Sequence, residues 1–297
     1  MNGIKLSSII LSISSLLSCQ SKSQLNFITA DKSLLWEVTG NGLGKPAFIY
    51  GTMHLLCESD AALSDNLKQV IAAADEIYFE IDMDDMGQLL SGFTLGKMKN
   101  DTTINQLLSD DEYHRVDDFF AKNGLGIQLK MFNHMQPMLV SALVYQAILP
   151  CQESDGIEMN IMKYAKQFKK EIKGLETTAF QVSIIDQIPY HQQAQELLNS
   201  IDSISSTKEE NKKMTQIYKE QDIDKLLDYS LKSDGGTTAE VQDIMINQRN
   251  KNWAEQFSGI TKDKTILIAV GAGHLGGKDG LINILKEKGY TLRPVQN

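Results

Sequence analysis

The feature that most constrains the fold is an apolar run near the C-terminal end, Ile266 to Val270, followed at once by Gly-Ala-Gly-His. A run with almost no polar interruption is typical of a central strand that is covered on both faces. A second run of strand-forming residues, Ala47 to Tyr50, ends in the same way, in Gly-Thr-Met-His. The sequence therefore predicts two strands that each carry a histidine, His54 and His274, just beyond their C-terminal ends.

Strand and helix patterns alternate around these two runs. The patterns predict a hairpin of strands over 33–40 and 46–54, strands over 76–82, 171–176, 264–274 and 290–295, and helices over 64–76, 156–170 and 277–289. The stretches 84–149 and 178–258 are mainly helical, and Pro137 is expected to kink or break the helix around it. The sequence thus predicts an α/β fold with a central β-sheet flanked by helices and a large helical insertion.

Length and charge limit the class of protein. A chain of 297 residues with 42% hydrophobic content can build a substantial core, in one domain or two. The net charge of −9 and the absence of a run of lysines and arginines argue against a protein that binds nucleic acid through phosphate contacts.

The N-terminal segment has the pattern of an export signal. One positive charge, Lys5, precedes a Ser-rich apolar stretch, and Leu16-Leu17-Ser18-Cys19 resembles a bacterial lipobox. We expect a lipoprotein signal peptide over 1–18, a lipid-carrying Cys19 in a polar tether over 19–33, and one domain over 34–297. The protein would then lie in the cell envelope, anchored to a bacterial membrane, and Gln20, which is not the Asp of inner-membrane lipoproteins, slightly favours the outer membrane. A plain signal peptide is the alternative.

Two cysteines remain, Cys57 and Cys151. An exported protein sits where disulfides persist, so an even pair predicts one bond, which would join the loop after His54 to the helical layer. Two independent buried thiols are the alternative.

Two carboxylates add to the histidines. Glu80 and Glu176 each end a short strand pattern, where a carboxylate is costly to bury unless it is paired or bound to a metal. Two histidines with one or two glutamates form a common hydrolytic metal set, and Arg249 could stabilise developing negative charge on a substrate. The competing interpretation treats the histidines as structural, the glutamates as surface or salt-bridged groups, and Arg249 as part of a solvated helix face. His114, His134 and His191 lie in helical patterns without partners and are expected to be non-catalytic.

The motifs GTMHLL, GLET, RNKNW and VGAGHLGGKDGLINILKEKGY, in this order between Leu34 and Val295, resemble the TraB/GumN family, which includes the Tiki proteases. Erythromycin-esterase-like and haem-binding ChaN-like proteins have related folds. The resemblance implies a peptidase-like site that depends on a divalent metal, with manganese or cobalt favoured. His54, Glu80 and His274 would hold the ion, whereas Glu176 and Arg249 carry over as the catalytic pair. One position departs from the expected pattern, because Glu158 stands where an Asp is expected.

Three functions follow as hypotheses. The first is a metal-dependent hydrolase of peptides, with Glu176 as general base and Arg249 facing the substrate carbonyl. The second is a non-catalytic lipoprotein that binds a peptide or small ligand. The third is an esterase-like hydrolase that uses His54 as a base without metal. The expected partners are therefore a peptide or small-molecule substrate and a membrane, with no nucleic acid and no predicted oligomeric state.

Overall fold

The computed structural model describes residues 25–29, 32–123, 128–151, 156–232 and 238–297, and within these ranges six strands form one mixed sheet. The strands are β1 (Leu35–Gly40), β2 (Ala47–Thr52), β3 (Glu76–Phe79), β4 (Glu171–Gly174), β5 (Ile266–Gly271) and β6 (Tyr290–Val295). Their order is β4-β3-β5-β2-β1-β6. The neighbours from β4 to β2 are parallel, whereas β1 is antiparallel to both β2 and β6. The predicted signal peptide, Cys19 and part of the predicted tether lie outside the described residues.

The strand predicted to be central is central. β5 lies between β3 and β2, and its residues from Ile266 to Val270 are all buried. β2 is buried along its whole length, because one of its neighbours is β5 and the other is β1 of the predicted hairpin. The α/β fold class is therefore confirmed.

The register of the parallel strands fixes where the site is built. Thr52 of β2 lies opposite Gly271 of β5, and Phe79 of β3 lies opposite both Ala269 of β5 and Gly174 of β4. The four parallel strands thus end together at one edge of the sheet. The carboxyl ends of parallel strands are where α/β folds place their binding sites.

The helices begin and end close to the predicted boundaries. They are α1 (Asp65–Ala73), α2 (Met86–Leu95), α3 (Ile104–Leu107), α4 (Asp110–Lys122), α5 (Pro137–Ala147), α6 (Gly156–Gln167), α7 (Thr178–Ile185), α8 (Tyr190–Asp202), α9 (Ile204–Lys219), α10 (Ile223–Lys232), α11 (Ala239–Gln242), α12 (Gln248–Thr261) and α13 (Leu281–Glu287). The Ser64 hydroxyl accepts the Leu67 N–H at the start of α1, and Ser109 and Glu112 form a capping box at the start of α4. A π-helical turn, Asp243–Asn247, joins α11 to α12.

Pro137 breaks the predicted helix instead of kinking it. It occupies the first turn of α5, where its missing N–H costs nothing, and only a short 3-10 turn, Leu129–Phe132, precedes it. Helix α5 is only partly buried. Its buried residues are Pro137, Val140 and Val144, and Tyr145 is exposed.

The buried side chains form two hydrophobic cores. The larger core surrounds the sheet and includes side chains of α1, α6, α12 and α13. The smaller core belongs to the helical insertion and is made by α3, α4, α5 and α8, with Phe120, Val140 and Leu197 among its fully buried residues. The insertion therefore comes from two segments of the chain, before α6 and after β4, because neither segment alone has a partner for its apolar face.

A search of the described residues for a helix long and apolar enough to cross a membrane finds none.

The two cysteines form the predicted disulfide bond. Cys57 and Cys151 have their Cα atoms 5.8 Å apart, and 94 positions separate them along the chain. Cys57 lies three residues beyond His54, and Cys151 lies just after α5. The bond therefore ties the loop that carries His54 to the helical insertion.

Removing this bond should lower stability without removing any part of the site. Because the bond closes a long loop, the Cys57→Ser/Cys151→Ser variant is expected to lose about 2–4 kcal/mol of the free energy of unfolding. Guanidinium denaturation of the oxidised protein and of the variant measures this loss. Dithiothreitol should weaken the wild-type protein and leave the variant unchanged; equal midpoints for the oxidised and reduced wild type would contradict the prediction.

Candidate functional site

Four loops at the carboxyl edge of the sheet bring together the residues that the sequence singled out. His54 follows β2, Glu80 follows β3, Glu176 follows β4 and His274 follows β5. The Glu176 N–H donates to the Glu80 carbonyl oxygen at 2.9 Å, which joins two of these loops directly. The two Gly-x-x-His units, about 220 residues apart in the sequence, thus meet at one place.

Both imidazoles face the same carboxylate oxygen. Nε2 of His54 lies 4.0 Å from Oε1 of Glu80, and Nε2 of His274 lies 3.8 Å from the same atom. The Gly271 N–H donates to this oxygen at 2.9 Å. Oε1 of Glu80 is therefore the point toward which the two histidines converge.

The two glycines of the repeated unit have different roles, and both concern close approach. A Cβ at Gly271 would lie 3.3 Å from Oε1 of Glu80 and 3.9 Å from Nε2 of His54, so glycine keeps this space open. A Cβ at Gly51 would instead lie 2.8 Å from Leu275 of the second unit. The glycine of the first unit thus makes room for the second unit, and the glycine of the second unit makes room for the site.

His274 is buried, neutral and fixed in orientation. Its Nδ1 lies 2.8 Å from Oδ1 of Asn250, while the Asn250 amide N–H groups donate to the carbonyl oxygens of His274 and Asp279. These two bonds make Oδ1 the acceptor, so Nδ1 of His274 carries the proton and Nε2 carries a lone pair. Burial, with a smaller effect of Arg249, lowers the pKa of His274 to about 3 although Glu80 opposes the shift. The ring is therefore neutral at physiological pH.

His54 is the accessible member of the pair. Its side chain is 65% exposed, and its Nδ1 lies 2.5 Å from Oε1 of Glu158, a buried carboxylate on α6. Desolvation lowers the pKa of His54. The contact with Glu158 and the charges of Glu158 and Glu80 outweigh this effect and raise the pKa to about 9. Glu158 therefore orients the ring with Nε2 toward Glu80 and the cleft.

Gly156 allows this contact to form. It begins α6 with a positive φ of 64°, and a Cβ there would lie only 2.4 Å from the carbonyl oxygen of His54. The first turn of α6 can thus press against the backbone of the His54 loop, which brings Glu158 within reach of the ring.

Arg249 is buried at the centre of the site, and all five of its N–H groups have partners. Nε donates to Glu176 at 2.9 Å, one Nη1 hydrogen to the Met245 carbonyl at 3.0 Å, and the other lies toward Nε2 of His274 at 3.3 Å. Nη2 donates to Oε2 of Glu80 at 2.5 Å and also to Glu176. The guanidinium therefore has no hydrogen left for a substrate in this arrangement.

Glu176 is equally committed. Its Oε1 accepts from Arg249 and from the Gln181 side chain at 2.9 Å, and its Oε2 accepts from Nε1 of Trp253 at 3.1 Å. The Trp253 ring also packs on His274, with 4.5 Å between ring centroids, and lies 4.8 Å from the Arg249 guanidinium. Glu176 thus links α7 and α12 and holds Arg249 in place.

Glu80 divides its two oxygens between two tasks. Oε2 accepts from Arg249 and from Gln181 at 3.2 Å, whereas Oε1 faces the histidines. Burial raises the pKa of Glu80. The charges of His274, Arg249 and His54 outweigh this effect and lower the pKa to about 2. The carboxylate is ionised at neutral pH and is available to a cation through Oε1.

The donor set suits a borderline divalent metal. Nε2 of His54, a ring carbon of His274 and Oε1 of Glu80 surround the space that a Cβ at Gly271 would enter. Each ring has its Nδ1 held by another side chain, as in metal sites. Within the described ranges, no group of three or more His, Cys, Asp or Glu side chains is placed to hold a metal ion in the present arrangement. The Nε2-to-Oε1 distances of 4.0 and 3.8 Å would have to shorten around an ion.

The structure brings together the five residues that the sequence singled out, and four further side chains contact them that the sequence analysis did not select. Asn250 and Trp253 were noticed only as parts of a motif, and Gln181 had no signal of its own. Glu158 was treated as a departure from a family pattern, although its position contained a usable signal. It lies at helical spacing with Ile161, Met162 and Ala165 on the buried face of α6, where a carboxylate needs a partner.

A comparison of the whole chain with models of protein families identifies its relatives. The model described as the TraB/PrgY/gumN family matches residues 34–294, which is nearly all of the described chain. Comparisons with curated proteins and with solved structures give no match. Since the match covers most of the chain, including every residue of the site, the chain belongs to the TraB/PrgY/gumN family.

Proposed function

We propose that the protein is a metal-dependent hydrolase of the peptidase type. The observation that carries this proposal is the convergence of Nε2 of His54 and Nε2 of His274 on one oxygen of Glu80, with each Nδ1 held by a separate side chain. A side chain that holds the other ring nitrogen in this way is typical of metal-binding histidines, because it fixes the tautomer and the direction of the lone pair.

His54, His274 and Glu80 would hold a divalent ion, with manganese or cobalt as the candidates. When bound there, the ion supplies Lewis-acid polarisation of a carbonyl group and makes water a better nucleophile. The Nε2 lone pair of His274 faces an N–H of Arg249 and would turn from it to the ion, whereas His54 must give up its Nε2 proton on binding. The Nδ1–H group of His54 remains hydrogen-bonded to Glu158 when the ion binds, so the ring keeps its orientation.

Arg249 and Glu176 have electrostatic and positioning roles in this proposal. With every N–H of Arg249 in use, its contribution is a fixed positive charge beside Glu80, close to where negative charge develops on a substrate carbonyl. Glu176, whose two oxygens accept from Arg249, Gln181 and Trp253, is assigned to holding that charge in place of the general-base role expected from the sequence.

A second candidate function has one observation in its favour. A histidine with one nitrogen on a carboxylate and the other open to a cleft is also the arrangement of a general base, as His54 and Glu158 have it. The raised pKa of His54 works against this role, since the ring is protonated at neutral pH. A metal-independent hydrolase is therefore the second choice, and a protein that binds a ligand without turnover is the third.

Metal binding by the purified full-length protein in detergent is the first test. We expect one manganese ion per chain by elemental analysis and titration calorimetry, and loss of that ion in the His54→Ala/His274→Ala variant. Peptide hydrolysis should stop with a chelator and return with manganese. If the loss of buried His274 unfolds the double variant, His54→Ala alone tests the same point. The control is His191→Ala, which changes an exposed histidine outside the site.

The outcomes separate the three functions. Turnover that ignores the chelator but disappears in His54→Ala would favour the metal-independent hydrolase. Stoichiometric peptide binding with no turnover in any metal form would favour the binding protein.

Glu158→Gln should weaken metal binding without removing a ligand. The amide oxygen of glutamine can still accept a hydrogen bond from Nδ1–H of His54. The substitution removes the negative charge that makes the ring a stronger metal ligand, so manganese affinity is expected to fall about 10–100-fold. Competition with a fluorescent chelator measures the affinity, and Glu255→Gln, an exposed change on α12, is the control. Equal affinities of Glu158→Gln and wild type would remove Glu158 from the site.

We also propose that the mature protein is held in the cell envelope by a lipid on Cys19. The support is the lipobox-like Leu16-Leu17-Ser18-Cys19 after a short apolar stretch. Cells that express the protein and are fed radiolabelled palmitate should label the wild type and the Cys57→Ser/Cys151→Ser variant, but not Cys19→Ser. Label that persists in Cys19→Ser, or a wild type without label, would contradict the anchor.

A further inference from the structure

Three adjoining cavities lead away from the site along one face of α9. The first, of about 200 Å³, is lined by Gly271 and Thr52. The second, of about 280 Å³, shares Met53 and Met214 with the first and is also lined by His54. Together they form a path that begins at the site.

The third cavity continues the path toward the helical insertion. Its volume is about 610 Å³, and it shares Leu55, Tyr145, Thr207 and Glu210 with the second cavity. Its remaining walls come from α5, α8 and the start of α9, so this cavity lies within the helical insertion. We call these three cavities the α9 groove.

The groove has a definite length along the helix. Met214 lies near the site, Glu210 one turn before it and Ser203 at the far end. At about 1.5 Å per helical residue, Glu210 lies about 6 Å and Ser203 about 16 Å from Met214. An extended chain, which rises about 3.3 Å per residue, would cover these distances with about two and about five residues.

The charge toward the insertion end of the groove is negative, whereas the protonated His54 lies at the end near the site. Glu196 of α8 and Glu210 of α9 both line it, and among the described residues no lysine or arginine lines any of the three cavities. Burial raises the pKa of the Tyr145 phenol, and the charges of Glu210 and Glu196 raise it further, so both carboxylates act on the same part of the groove. A cationic group bound there would be complementary to both.

At the end near the site, the buried Thr52 lines the first cavity, and its hydroxyl interacts with Glu158, the partner of His54. This end of the groove therefore adjoins the pair formed by His54 and Glu158.

We propose that the α9 groove binds an extended peptide that carries a lysine or arginine about two to five residues from the reacting bond, with its side chain between Glu196 and Glu210. The proposal rests on the hydrolase function proposed above, since that function defines which end of the groove is the reacting end. Apolar peptide side chains pack on Met53, Met214 and Tyr145.

Peptide binding tests the groove separately from catalysis. Fluorescein-labelled peptide pools of about twelve residues, enough to span the groove at about 3.3 Å per residue, have one fixed position occupied by lysine, norleucine or glutamate. Fluorescence anisotropy with the full-length protein, in chelator so that no turnover occurs, is expected to show lysine pools bound about tenfold more tightly than norleucine pools. The preference should shrink at high salt, as expected for screened charges.

The variants locate the effect. Glu196→Gln/Glu210→Gln should bind lysine and norleucine pools equally, whereas Glu209→Gln, the neighbouring exposed carboxylate that lines none of the three cavities, should keep the preference. A preference that survives in the double variant, equal binding of both pools by the wild type, or no binding of any pool would overturn the proposal.

Failure of the groove and failure of the hydrolase are distinguishable. Lysine-dependent binding without cleavage in manganese would remove the hydrolase and leave the groove as the site of a peptide-binding protein. Manganese-dependent cleavage that is indifferent to Glu196→Gln/Glu210→Gln would keep the hydrolase and remove the groove.

Discussion

The buried guanidinium of Arg249 is the interaction on which the site depends. A positive charge this deeply buried is stable only if its hydrogen bonds are satisfied and opposite charges lie beside it, and Glu80 and Glu176 meet both conditions. The two carboxylates follow different strands, so the same contacts fix the loops after β3 and β4 relative to α12. Replacing Arg249 would leave two carboxylates facing each other without a counter-charge, so Arg249 is needed for the structure of this edge of the sheet.

The parallel register brings the other residues to this charge. Thr52 opposite Gly271 places the two Gly-x-x-His units side by side, with His54 open to the cleft and His274 buried behind it. The difference in burial gives one histidine a lone pair at neutral pH and leaves the other protonated beside Glu158. One repeated sequence unit thus produces two chemically different imidazoles.

Much of the fold could be predicted because its signals are local. The apolar run from Ile266 to Val270, the capping residues Ser64 and Ser109, and Pro137 each act on a few neighbouring residues. The two histidines and two glutamates could be predicted to lie together because polar groups that end apolar strands have few structural reasons to be there, whereas Arg249 on α12 was singled out by its residue type. The disulfide between Cys57 and Cys151 followed from counting.

The hydrogen-bond partners of those residues could not be predicted, since they depend on packing between distant segments. Gln181 is an ordinary helical glutamine until α7 packs beside β3, and the commitment of every Arg249 hydrogen could not be seen in the motif that contains it. The roles expected for Glu176 and Arg249 were drawn from residue type alone, and residue type does not report how many hydrogen bonds are already made.

The disulfide, α6 and the α9 groove all adjoin the loop that carries His54, and the first two restrict its movement. Cys57 attaches the loop of His54 to the end of α5, Gly156 allows α6 to press against the same loop, and Glu158 then holds the ring. The groove passes the same ring on its way to the insertion. A histidine that is 65% exposed would otherwise be free to rotate, so these constraints replace the rigidity that burial gives to His274. His54 is thus accessible to a ligand while its ring keeps a fixed orientation.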